Sequence, residues 1–106
     1  MSKLVKEIAG LCYHLDKLYY EEENKKVRAE LKKNFDILSK LLERSIRSSF
    51  DENEKFYKKG VREIRKSIRE INKVKEGLAK IDRFIADLSQ LSENVSSLIS
   101  GKNIQP

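Results

Sequence analysis

Apolar residues recur at intervals of three or four positions along almost the whole chain, from Leu4 to Leu98. This spacing places them on one side of an α-helix, whereas a half-buried strand would show strict alternation. Helix breakers are nearly absent, because the 106 residues include four Gly and a single Pro, at position 106. The sequence therefore predicts an all-α protein, built as an antiparallel helical bundle.

The first half of the chain predicts two helices, over about 2–22 and 25–48. Their apolar stripes comprise Leu4, Ile8, Leu11, Leu15 and Leu18 in the first helix, and Val27, Leu31, Phe35, Leu38, Leu42 and Ile46 in the second. Asn24 lies between them and is expected to cap the second helix. A capping box over 49–52, with Asp51 as a second candidate cap, predicts that a third helix begins there.

Two arrangements of residues 51–100 fit the sequence. In one, Gly77 ends the third helix, and four helices of similar length form the bundle. In the other, a single helix about 75 Å long runs from 51 to 100. The protein then has three helices and dimerises to cover the overhang, and the apolar period near 3.5 is typical of a coiled coil. The lack of a capping residue just after Gly77 counts against the break, whereas the matched helix lengths favour it.

A single helical-bundle domain is expected over 1–101, since a chain of this size can bury one modest core. Gly101 is suited to the left-handed conformation that ends many helices. Residues 102–106 are accordingly predicted to form a frayed C-terminal tail.

Positive charge is concentrated in the middle of this basic chain, whose net charge is +6. Residues 24–75 carry 17 basic and 8 acidic side chains, a net charge of +9. Six cations share a narrow arc of the third helix, opposite its apolar side: Lys55, Lys59, Arg62, Lys66, Arg69 and Lys73. They form a candidate binding face for an anionic partner.

A candidate protein interface combines residues from the two ends of the chain. Tyr13 and Tyr20 are seven positions apart and lie away from the leucine stripe of the first helix. Tyrosine is enriched at protein interfaces. In the long-helix arrangement Leu91, Val95 and Leu98 would also be exposed, and such an apolar patch favours a symmetric partner.

Patterns typical of catalysis or of metal and cofactor binding are missing from the sequence. Cys12 and His14 are two positions apart, so on a helix they point about 200° apart and do not share a metal. No phosphate-binding Gly-rich loop or paired-carboxylate constellation occurs. We therefore expect no enzyme activity, no cofactor and no small-molecule substrate.

The sequence also favours a cytoplasmic protein that is not inserted into a membrane. The single cysteine excludes an intramolecular disulfide, and the N-terminus shows no signal-peptide pattern. No apolar run approaches the ~20 residues that a membrane-spanning helix needs.

Two functional hypotheses follow from these surfaces. The first is a non-enzymatic interaction or adaptor protein, which acts through its helix faces on another protein or as a homodimer. The alternative is a sequence-nonspecific nucleic-acid-associated protein, which binds phosphates through the basic faces of its second and third helices. On the second helix these cations are Lys25, Lys26, Arg28, Lys32 and Lys33.

Overall fold

Four α-helices make up the computed structural model, which describes residues 2–101. They are α1 (Lys3–Glu21), α2 (Lys25–Ile46), α3 (Lys55–Lys75) and α4 (Ile81–Ile99). Within the described residues there is no strand, which confirms the prediction of an all-α protein. Met1 and the predicted frayed tail at 102–106 lie outside the described residues.

Side chains cap the first three helices. Ser2 Oγ accepts a hydrogen bond from Val5 N at the start of α1. Asn24 Oδ1 accepts from the first-turn N–H groups of α2 at 2.9 and 3.2 Å, as the sequence predicted. The predicted capping box at 49–52 is wrong: α3 begins later, and Glu54 Oε2 accepts from Phe56 N at 2.8 Å and Tyr57 N at 3.0 Å.

Helix α3 ends at Lys75 and a separate helix, α4, follows it, so the alternative of one continuous helix over 51–100 is wrong. Gly77 adopts a φ of +76°, in the left-handed region that favours glycine. Gly77 N donates to Val74 O at 3.1 Å, and Leu78 N donates to Lys73 O at 2.8 Å. This pair of bonds is the Schellman motif, which satisfies the last carbonyls of a helix. Lys80, the residue before α4, makes no side-chain cap. The interruption between α3 and α4 is therefore marked only by Gly77 at the end of α3.

Each helix packs against two of the others: α1 and α4 both contact α2 and α3. Helices α1 and α3 run side by side in the same direction. Their starts are joined by a hydrogen bond from Leu4 N to the Tyr57 hydroxyl, and their ends by an ion pair of Glu21 with Lys75 at 3.7 Å. The resulting unit measures 39 × 25 × 23 Å.

The core lies between the four helices and contains most of the predicted apolar residues. The apolar spacing predicts ten buried residues between Leu11 and Leu88, of which seven are buried and three, Ile68, Ile81 and Ile85, are only half-buried. The buried residues are Leu11, Leu15, Leu31, Leu38, Ile64, Ile71 and Leu88. The predicted stripe of α1 is buried along its whole length.

The buried side of α2 is rotated from its predicted position. Asn34, Leu41 and Ser45 are buried, whereas Ile46, a predicted stripe residue, is 61% exposed. Asn34 is 2% exposed, and its Oδ1 accepts a hydrogen bond from Ser92 Oγ of α4 at 3.1 Å. Packing against α4 therefore draws a polar residue into the core, where its hydrogen bonds offset the loss of water.

Candidate partner-binding surfaces

The six predicted cations of α3 are all exposed and form what we call the cationic face: Lys55, Lys59, Arg62, Lys66, Arg69 and Lys73. The opposite side of α3 is buried and includes Tyr57, Ile64 and Ile71. Nine basic and two acidic side chains lie on this helix, a net charge of +7. At 1.5 Å per residue the face is about 27 Å long.

The cationic face has few internal counter-ions. Among residues 2–101, Lys59 alone of the six has a carboxylate within 4.0 Å, that of Glu63 at 3.9 Å. The ion pairs from α3 to α1 use cations outside the face: Arg65 with Glu7 at 2.8 Å, and Lys75 with Glu21. The like charges of the face repel one another, so an anionic partner would relieve that repulsion.

A surface depression of about 680 Å³ adjoins the cationic face at the α3–α4 turn; we call it the turn depression. Four cations line it: Lys66 and Lys73 from α3, Lys80 from the turn and Arg83 from α4. The carboxylates of Glu70 and Asp87, and the apolar side chains of Leu78 and Phe84, complete its main lining.

Sequence reasoning missed Lys80 and Arg83 as candidate binding residues. Gly77 was the sequence signal that could have identified them, because a glycine that ends α3 makes the chain turn back. The chain reverses direction there, and Lys80 and Arg83 are brought beside Lys66 and Lys73.

Tyr13 and Tyr20 lie on the outer side of α1, 58% and 73% exposed. Lys17 Nζ lies 4.7 Å from the centre of the Tyr13 ring, at cation–π distance. Their neighbour Tyr19 is half-buried, because Arg28 of α2 lies 4.3 Å over its ring. Tyr20 is thus the most accessible aromatic side chain of the candidate protein interface.

The other three residues of that interface, Leu91, Val95 and Leu98, are buried, so their assignment to an exposed surface is corrected. They were expected to be exposed only on a continuous helix over 51–100. Because α4 instead folds back against α3, Leu98 packs close to Gly60 of α3, within 3 Å of where a Cβ would lie. Burial in the chain's own core leaves them no surface for a partner.

Cys12 and His14 do not form a common site. Cys12 is buried, and this burial raises the pKa of its thiol above the ordinary value of 9.0, opposed by a hydrogen bond with the Ser39 side chain. His14 is half-buried, and its ring lies 5.4 Å from that of Tyr13. Among residues 2–101 no three His, Cys, Asp or Glu side chains are grouped so that they could hold a metal ion.

None of the four helices is long and apolar enough to span a bilayer.

Comparison with models of protein families, with the sequences of curated proteins and with solved structures finds no match to this chain. Its function is therefore inferred from the chemistry of the surfaces described above.

Proposed function

We propose that this chain is a non-enzymatic adaptor protein, which binds an acidic surface of another protein through the cationic face of α3. One observation carries the proposal: among residues 2–101, five of the six cations of this face have no carboxylate within 4.0 Å. Complementary charge speeds association and selects among partners. Tyr13, Tyr20 and Leu78 are exposed and could supply the apolar contacts that protein interfaces need.

The same proposal includes a closed four-helix bundle as the scaffold. The contacts of α1 and α4 with both α2 and α3 support it, because they describe a ring in which each helix has two neighbours. In this arrangement α1 and α4 hold α3 on its two sides, and only its outer arc remains free. The cations are then presented on a rigid element, which reduces the entropy lost on binding.

Binding of nucleic acid without sequence readout is the second candidate. It is favoured by the length of the cationic face, about 27 Å, which is long enough to contact several phosphates. Lys58 and Arg65 widen the arc, so that eight basic residues of α3 fall within about 120°. Two of the eight have carboxylate partners, Arg65 in Glu7 and Lys59 in Glu63. On α2, however, Lys32 is paired with Asp36 at 3.7 Å, and Arg28 is held against Tyr19. The second basic face is consequently weaker than its sequence suggests.

Charge reversal tests both candidates. The double variant Arg62→Glu/Arg69→Glu is compared with the control Lys6→Glu/Lys40→Glu, which makes the same change in net charge at exposed positions of α1 and α2, outside both basic faces. Cross-linking in extracts of the source cells, followed by mass spectrometry, is expected to identify a protein with an acidic surface. This complex should survive nuclease, persist in the control and be lost in the α3 variant.

Titration with duplex DNA across a salt series separates the second candidate. Phosphate binding predicts a log–log slope of about −0.9 per phosphate contacted, and loss of binding in the α3 variant. A protein complex that forms equally well with Arg62→Glu/Arg69→Glu would contradict the first candidate. Absence of any DNA binding at low salt would contradict the second.

A further inference from the structure

Leu78 is an exposed apolar side chain at a position that usually finds an apolar partner. It follows Gly77 in the Schellman motif that ends α3. In this motif the second residue after the cap commonly packs against an apolar residue in the last turn of the helix. Here the corresponding helix positions are Asn72 and Lys73, which are polar and exposed, and Leu78 is 73% exposed. Leu78 is therefore exposed to solvent and has no apolar partner in the last turn of α3.

Four cations lie around this leucine on two sides of the turn depression. Lys66 and Lys73 approach from α3, and Lys80 and Arg83 from the turn and α4. All four are exposed, and among residues 2–101 none has a carboxylate within 4.0 Å. An anion that enters the depression meets positive charge from both walls, whereas one on the convex face of α3 meets it from a single side. The four cations outnumber the two carboxylates of the depression, those of Glu70 and Asp87, so the depression keeps a net positive charge that attracts anions.

We propose that the turn depression binds an acidic peptide segment of the protein partner, with an apolar side chain of that segment packed against Leu78. The carboxylates of the segment face Lys66, Lys73, Lys80 and Arg83. This proposal rests on the proposed adaptor function and identifies the chemistry of its partner. A nucleic-acid backbone would use the cations but has no aliphatic side chain to pack against Leu78.

Two synthetic peptides test the proposal by fluorescence anisotropy. Each is a labelled twelve-residue peptide rich in Glu, with a central Leu in one and a Ser in its place in the other. Wild-type protein is expected to bind the Leu peptide about tenfold more tightly, because a partly buried leucine side chain contributes that much. Leu78→Ser should remove this preference. Lys80→Glu/Arg83→Glu should weaken binding of both peptides more than about tenfold.

The matched control is Lys6→Glu/Lys40→Glu, which makes the same charge change at exposed positions of α1 and α2, outside both the cationic face and the turn depression. We expect it to keep the preference for the Leu peptide. Circular dichroism melts check that all variants fold, as expected for exposed positions. The proposal is overturned if Leu78→Ser keeps the preference, or if Lys80→Glu/Arg83→Glu binds no more weakly than the control.

A third titration, with duplex DNA, separates the sources of negative charge. The peptide proposal is overturned in favour of phosphate if DNA binds more tightly than the Leu peptide and its binding depends on Lys80 and Arg83 but not on Leu78. Wild-type protein that binds neither peptide would also overturn it, while the adaptor function would still be decided independently by cross-linking with Arg62→Glu/Arg69→Glu.

Discussion

The hydroxyl of Tyr57 accepts a hydrogen bond from the backbone N–H of Leu4 at 3.0 Å, in the interior and across 53 positions of sequence. The same hydroxyl donates to Glu52 Oε1 at 3.1 Å, and this carboxylate also accepts from Lys3 N at 3.4 Å. Together with Ser2, these side chains partner the first N–H groups of α1, which have no partner within the helix. The start of α3 is thereby joined to the start of α1, which supports the parallel arrangement of the two helices.

Replacement of this tyrosine tests the contact. Tyr57→Phe keeps the ring against Phe50 but leaves the buried N–H of Leu4 without an acceptor. We expect the free energy of unfolding to fall by about 1–3 kcal/mol, as measured by urea denaturation. Tyr13→Phe, at an exposed position, should change it by less than about 0.5 kcal/mol. Equal stability of the two variants would contradict this account of the α1 terminus.

Close approach of α3 and α4 makes Gly60 sensitive to an added methyl group. A Cβ at Gly60 would lie 2.9 Å from Leu98 Cδ2, whereas at Gly10 it would lie 3.7 Å from Ile68 Cδ1. Ala normally stabilises a helix relative to Gly, so Gly10→Ala should raise the free energy of unfolding by about 0.5–1 kcal/mol. Because Leu98 is buried and must move, Gly60→Ala should lower it by about 0.5–2 kcal/mol. Chemical denaturation that finds Gly60→Ala the more stable would show that α4 is not held this closely.

The buried hydrogen bond between Asn34 and Ser92 should couple α2 to α4. A double-mutant cycle with Asn34→Ala and Ser92→Ala is expected to give a coupling energy of about 0.5–1.5 kcal/mol, because the bond is shielded from water. The exposed ion pair of Lys32 and Asp36 is the control, and its alanine cycle should give less than about 0.5 kcal/mol. Additive effects at Asn34 and Ser92 would be inconsistent with a bond that joins the two helices.

The buried thiol of Cys12 predicts a specific dependence of stability on pH. The pKa of this thiol is raised in the folded protein, so the stability that the protonated thiol contributes is fully present below the ordinary value of 9.0. Above that pH the unfolded chain loses the thiol proton while the folded chain retains it, and the contribution is lost as the pH approaches the folded pKa. The difference in unfolding free energy between wild type and Cys12→Ala should therefore fall between pH 8 and 10, by at most about 1.4 kcal/mol per pH unit. Urea melts at three pH values measure it, and a constant difference would contradict the raised pKa.

Local periodicity was sufficient to predict much of this protein. The stripe of α1 from Leu4 to Leu18 is buried as its spacing indicated, and Asn24 caps α2. The six cations of α3 were placed correctly on its exposed side. These features depend on neighbours within about one helical turn, and the 3.6-residue repeat describes that range directly.

Only the tertiary structure decided which edge of each apolar stripe is covered and where the chain turns back. Periodicity defines an apolar side to within a broad arc, and the position of the neighbouring helix selects its centre. Hence α4 brings Asn34 into the core, and Ile46 is left in solvent. The reversal at Gly77 buries Leu91, Val95 and Leu98 and gathers Lys80 and Arg83 beside α3. The sequence alone determined the all-α class, the first two helices and the charges along the chain. Helix packing determined which side chains share a surface, because that depends on residues far apart in the chain.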